Sequence, residues 1–285
     1  MIIPEHERSA EPLIGENVIK HPDMVRAVEW VLTEYEPPKR EICIFVPCSK
    51  AKPYHESPSH KMFDSIIFRH LTHDQVHVVV FGTCGVTPRE LDTEYPFMDY
   101  QFMLGRCDVP KVKREFHKLE SRRLARYLEL TKQHYRHRIA YCLGDFRLAM
   151  EKAVELSQVK VDIVPKPGTM EKLHNPDLKF SFGSLYHQEY QRDFDEAICR
   201  AAGLDTSNDA ITDIRGTSDD AVTDIRATSD DAVTNIRGTS DDAVTDIRAT
   251  SDDAVTDIQT TSDDEVTDIR RTNVRVTDDS DWYII

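Results

Sequence analysis

No two of the six cysteines form a CxxC pair, and no run of eighteen apolar residues occurs in this 285-residue chain. The first absence argues against a zinc ribbon or a thioredoxin-like redox site. The second leaves no candidate membrane span, so no membrane partner is expected. The opening residues, Met1 to Arg8, have no basic stretch leading into an apolar one and do not read as a secretory signal. Cys43, Cys84 and Cys142 lie in or beside apolar, strand-like runs, and reduced thiols in a cytoplasmic protein are the simplest expectation. His55, His60, His73 and His77 do not fall at a metal-ligand spacing. Neither a metal nor another cofactor is expected.

Beyond residue 205 there is no histidine and no cysteine, and the apolar side chains are mainly Ala, Val and Ile. There an eleven-residue unit repeats, beginning at Thr206, Thr217, Thr228, Thr239, Thr250 and Thr261. Residues 206–285 hold 20 acidic and 7 basic side chains, which accounts for most of the chain's net charge of −15. The part before them is nearly neutral. An eleven-residue period is close to three helical turns, but Thr, Asp and Gly are poor helix formers. The expectation for 206–271 is disorder or weak helix, with 272–285 as a short C-terminal tail. Such an acidic segment repels nucleic acid rather than binding it.

Residues 1–20 read as a polar lead-in. After them, short apolar runs alternate with amphipathic ones. His21-Pro22-Asp23 opens a helix that Pro37-Pro38 ends. Strands are expected at Glu41–Val46, Gln75–Phe81, Ile139–Leu143 and Val159–Val164. Between and after them lie helices from an N-cap at Ser59 to His70, from Pro110 to Leu128, from Phe146 to Ser157, and from Gln188 to Ala202. Residues 82–109 read as turn and loop. The alternation predicts an α/β fold: a single three-layer domain over 21–205, its mainly parallel sheet covered on both faces, followed by the acidic repeat tail.

The densest chemistry follows the first strand: Pro47-Cys48-Ser49-Lys50-Ala51-Lys52-Pro53-Tyr54-His55-Glu56-Ser57-Pro58-Ser59-His60. Open α/β sheets bind ligands beyond the carboxyl ends of their strands, which is where these side chains fall. The spacing of Pro47-Cys48, Lys52-Pro53-Tyr54, Ser57 and His60 resembles the signature of the archaeosine synthase core domain, of the DUF5591 type. Gly85 to Leu91, with Tyr95-Pro96 and Tyr100, resembles that domain's second block, and Tyr141 to Phe146 its third. The likeness covers roughly residues 25–200.

The resemblance implies a relative of the tRNA-guanine transglycosylases, in an archaeal cytoplasm. Its implied reaction adds lysine, through an amine, to the nitrile of a 7-cyano-7-deazaguanine base already in tRNA. Full-length synthases also carry a transglycosylase-like barrel and an RNA-binding PUA domain, which have no counterpart in these residues. A separately encoded transglycosylase-like or PUA-containing subunit is therefore expected, or a smaller substrate such as a free 7-deazaguanine base.

Amine addition to a nitrile needs a neutral amine, a proton donor for the developing nitrogen anion, and a pocket for a flat base. Cys48 is either a nucleophile that forms a thioimidate or a small buried strand-end residue. Lys52, held extended before Pro53, is a candidate for stabilising negative charge. His60 is the expected general acid and base. Tyr54 offers a stacking face and Ser57 a polar group at a helix start, and Pro47, as part of the signature, is counted with them among the expected substrate-binding residues. Arg89 and Glu90 are expected to clamp the amino-acid substrate. Asp145 either accepts hydrogen bonds from a base edge or N-caps the helix behind it. The basic residues from Lys111 to Arg126 read as a solvated helix face, since acids interrupt them. The alternative to an enzyme is a non-catalytic module that binds a modified base or a protein, with the repeats serving association.

Overall fold

The structure, a computed structural model, describes residues 2–83, 85–176 and 181–204, together with the backbone of short strands between 212 and 275. The chain divides into two units at residue 205. In the first, five strands form one sheet: β1 (Ile42–Pro47), β2 (Val76–Gly82), β3 (Gly85–Pro88), β4 (His137–Tyr141) and β5 (Asp162–Val164). Their order is β3-β2-β1-β4-β5, and every neighbouring pair is parallel except β2 with β3. β1 sits at the centre and is buried at every position, as its unbroken apolar run requires. β3 corrects the expectation of a loop: Gly85 takes φ +85°, and Val86 and Thr87 pair with Phe81 and Val80. The last expected strand is shorter than predicted, and begins only at Asp162.

Among the described residues six α-helices join the sheet: α1 (Pro22–Thr33), α2 (Pro58–His70), α3 (Pro110–Leu130), α4 (Gly144–Ser157), α5 (Pro167–Leu173) and α6 (Gln188–Ala202). Right-handed crossovers place α2 and α3 on opposite faces, because the chain moves from β1 to β2 one way and from β2, by way of β3, to the parallel β4 the other. α1 and α4 pack beside α3, and α6 beside α2. Phe45, Phe81, Phe116, Tyr127 and Phe146 fill the α3 side with edge-on ring contacts. On the α2 side Tyr141 stacks on Phe194 at 4.4 Å and meets Phe63 edge-on. The lead-in also joins this core, burying Ile3, Val18 and Ile19. At the carboxyl edge of the sheet, the chain leaves β1 and β4 in opposite senses. That divergence is the switch point at which open α/β sheets hold ligands.

Part of the expected disordered or weakly helical stretch lies outside the described residues. Its described backbone is strand, in keeping with its recurrent Thr, Val and Ile. Positions two repeats apart pair in parallel, Ile214 with Ile236 in one ladder and Ile225 with Ile247 in another. No helix among the described residues is long and apolar enough to cross a membrane.

Candidate functional site at the exit of the first strand

The loop after β1 is organised from its far end. Ser57, not Ser59, caps α2: its Oγ accepts the His60 N–H at 3.2 Å, and Pro58 takes the first helical position, where no N–H is needed. His60 is thereby turned inward and is fully buried, its ring stacked on Tyr54 at 5.4 Å and edge-on to Phe63. Arg89 donates from Nη2 to His60 Nδ1 at 2.9 Å and grips Asp64 with both terminal nitrogens at 3.0 Å. Because a guanidinium can only donate, His60 Nδ1 accepts and Nε2 carries the proton. Burial first, then the Arg89 charge, hold His60 well below the ordinary histidine range; an opposing influence from the Pro47 carbonyl is weaker. Its Nε2 is buried and makes no hydrogen bond of good geometry.

Tyr54 is also buried, and its hydroxyl meets that of Tyr100 at 2.8 Å. Lys52 lies over the Tyr100 ring, 3.7 Å from its centre, and donates to the carbonyls of Ser49 and Lys50. The peptide between Lys52 and Pro53 is cis. Tyr54, His60 and Arg89 thus form one packed cluster, capped by Ser57 and closed over by Tyr100 and Lys52. Cys48 stands at the strand end. Its Sγ lies 3.6 Å from Thr83 Oγ1, and its N–H continues the ladder to the Phe81 carbonyl. It is 7% exposed, at the rim of the core.

The other expected residues do not join this cluster. Arg89 and Glu90 are neighbours, yet Glu90 accepts from Tyr35 and meets His77 Nε2 at 3.3 Å, away from the Arg89 group. Burial raises the Glu90 carboxyl, and hydrogen bonds from His77 and Tyr35 more than offset it, leaving it below the usual range. The two side chains thus take different partners on either side of one peptide bond. Asp145 does not cap α4, whose N-cap is Leu143. It is held by Lys113 at 2.9 Å and His117 at 2.8 Å. Elsewhere, His70, Asp195 and Cys199 bring ligand-type atoms within 4.8 Å of one another. Arg69 already donates to the same Asp195 oxygen that His70 contacts, which marks the group as an ion-pair network.

One pair escaped the sequence reading. His55 Nδ1 lies 3.0 Å from both oxygens of Asp92, which is buried and also accepts the His55 N–H at 2.9 Å. The ring's side chain is 45% exposed, so a buried carboxylate orients an imidazole whose Nε2 edge lies at the surface, 3.9 Å from Glu56. The signature leaves position 55 open, and the carboxylate is 37 residues away, so no local spacing signals the pair.

Residues 24–176, more than half of the chain, match the family described as a domain of unknown function, DUF5591. The chain belongs to the DUF5591 family. Two curated relatives share its core. The archaeosine synthase subunit alpha of Methanosarcina acetivorans is 28% identical over 149 residues, covering 51% of this chain and 22% of the relative. That of Thermoplasma acidophilum is 32% identical over 94 residues, covering 31% and 18%. The chain thus spans about a fifth of the length of the curated relatives it matches. A solved protein of unknown function, AF0587, is 18% identical with a TM-score of 0.40, covering 60% of this chain and 48% of that one. The DUF5591 segment contains the whole β1 exit loop, the Arg89 group and the β4–α4 turn.

Proposed function

We propose that this DUF5591 chain is the core of a tRNA-modifying enzyme of the archaeosine synthase type. It joins lysine, through an amine, to the nitrile of 7-cyano-7-deazaguanine in tRNA. A second subunit carries much of the tRNA recognition, and the setting is the cytoplasm. The observation that carries the reading is the placement of the signature. Within the segment similar to two proteins named archaeosine synthase subunit alpha, it occupies the loop leaving the central strand at the sheet's switch point.

The chemistry balances without a redox partner. The Cys48 thiol adds across the nitrile to give a thioimidate, with its proton passing to the nitrile nitrogen. The lysine amine then forms a bond to the same carbon and the thiol leaves, taking a proton back. The product is an amidine. His55, held by Asp92, is the side chain suited to move these protons, since one ring edge is fixed by a buried carboxylate and the other lies at the surface, 3.9 Å from exposed Glu56. His60, buried and neutral, is a positioning residue: with Tyr54 and Arg89 it sets the shape of the loop.

Isotope-labelled lysine, incubated with the full chain, its candidate partner subunit and tRNA bearing 7-cyano-7-deazaguanine, is expected to produce a nucleoside heavier by the lysine adduct. His55→Gln should lower the rate about 100-fold with little change in thermal stability, and free imidazole should restore part of it. His60→Ala should instead lower stability by about 3 kcal/mol through the cavity and the stripped Arg89 donor. Burial of Tyr54, Ser57 and His60 favours the competing reading, a module that binds without turnover. Binding of the modified tRNA with no labelled adduct under any combination would decide for that module.

A further inference from the structure

Four cations stand in a row on α3. Lys111, Arg114, Lys118 and Arg122 are spaced three and four residues apart, and all four are exposed. At 1.5 Å of rise per residue the row is about 16 Å long, in steps of about 4.5 to 6 Å. Among the described residues no carboxylate pairs with any of the four, whereas Lys113 and Arg126, on the same helix, are bound to Asp145 and Glu29.

The acids that interrupt this stretch in sequence do not neutralise the row in space. Glu120 points into the core and is 1% exposed. Glu115 is held by Lys20 at 2.7 Å, and its carboxyl lies below the usual range through that bond, with Lys111 and Lys118 adding to the pull. Glu129 bounds the row at the far end of the helix. The surface left between is a line of exposed positive charge in which Glu115, already held by Lys20, is the one carboxylate felt by Lys111 and Lys118 among the described residues.

We infer that this face of α3 docks the phosphodiester backbone of an RNA strand. The start of the row lies at the carboxyl edge of the sheet. Within α3, Lys113 and His117 hold Asp145 at the opening of α4, and Glu120 accepts the Gly82 N–H at the end of β2. A strand laid along the row therefore leads toward the edge from which the β1 loop emerges. The inference deepens the proposed function and rests on it for the RNA being tRNA. The chain's net negative charge does not oppose it, since charges beyond about 8 Å are largely screened at physiological salt.

The test uses the full chain and a fluorescent, unmodified tRNA transcript, with a quadruple variant, K111Q/R114Q/K118Q/R122Q. Glutamine keeps helix propensity and the positions are exposed, so the melting curve should match the wild type. The variant should bind at least tenfold more weakly at moderate salt. The slope of log affinity against log salt should be shallower by about 3, one step of roughly 0.7 to 0.9 for each phosphate that the variant leaves unneutralised. Wild-type affinity and slope in the variant would overturn the inference, as would no binding by the wild type at low salt. An equal fold loss toward poly-glutamate would also overturn it, by making the row a general polyanion surface. Lysine transfer is scored separately. Transfer with unchanged RNA binding in the variant sinks the row alone, and row-dependent binding without transfer removes the reaction alone.

Discussion

Gly82→Ala is expected to cost about 4 kcal/mol of folding stability, a large share of what a domain this size possesses. Gly82 ends β2 with φ +143°, a conformation that residues with a Cβ rarely adopt. A methyl group there would stand 2.5 Å from Phe146 Cε1 and 2.7 Å from Cys48 Sγ. Retreat would be costly: Phe146 would lose edge-on contacts with both Phe81 and Phe116, and Cys48 sits on a backbone paired to β2. Backbone and packing penalties of roughly 1–3 kcal/mol each therefore add. Urea unfolding of the two proteins measures the loss, and Phe146→Leu in the alanine background should recover about 1 kcal/mol of it. A variant within 0.5 kcal/mol of wild type, on the order of an ordinary surface change, would show that the strand end is loosely packed.

Glu120→Gln is expected to change the pH dependence of stability by roughly 3 kcal/mol between pH 4.5 and pH 8. Glu120 is buried on α3, and burial pushes its carboxyl up to about 7, outweighing Arg123 at 3.9 Å and the Gly82 N–H at 3.2 Å. The folded state thus holds a proton that the unfolded chain has released. Below the unfolded value of 4.5 both states are protonated and the residue contributes no pH dependence. Stability then falls as pH rises, at about 1.4 kcal/mol per unit, and levels off above 7. Glutamine cannot titrate. Subtracting its unfolding free energy from that of wild type across the pH series isolates this one group. A flat difference would mean that Glu120 ionises normally in the fold.

The position of Glu120 was legible in part. It falls four residues after Phe116 and four before Leu124, so the apolar face of the helix predicts its burial, yet a count of charges over the same stretch hides it. The sheet order was not legible: right-handed crossovers fix the face each helix takes, not which strands become neighbours. β3 was not legible, because four residues bounded by Gly and Pro carry the chemistry of a turn. Within the site, the signature located the loop and its helix cap to within two residues. What spacing cannot convey is which face a residue serves after the chain returns. Tyr100 over Lys52, Arg89 on His60 and Asp92 behind His55 all come from a segment without periodicity.

Arg89 and Glu90 straddle the end of the edge strand, one reaching Asp64 and His60 on α2, the other Tyr35 and His77. A single peptide bond thus ties the first turns of α2 to the opening of β2 and to the chain just beyond α1, at one border of the sheet. Amide protons in the first turns of α2 and in the opening of β2 should accordingly exchange with solvent as one cooperative unit, and Arg89→Ala should release both together.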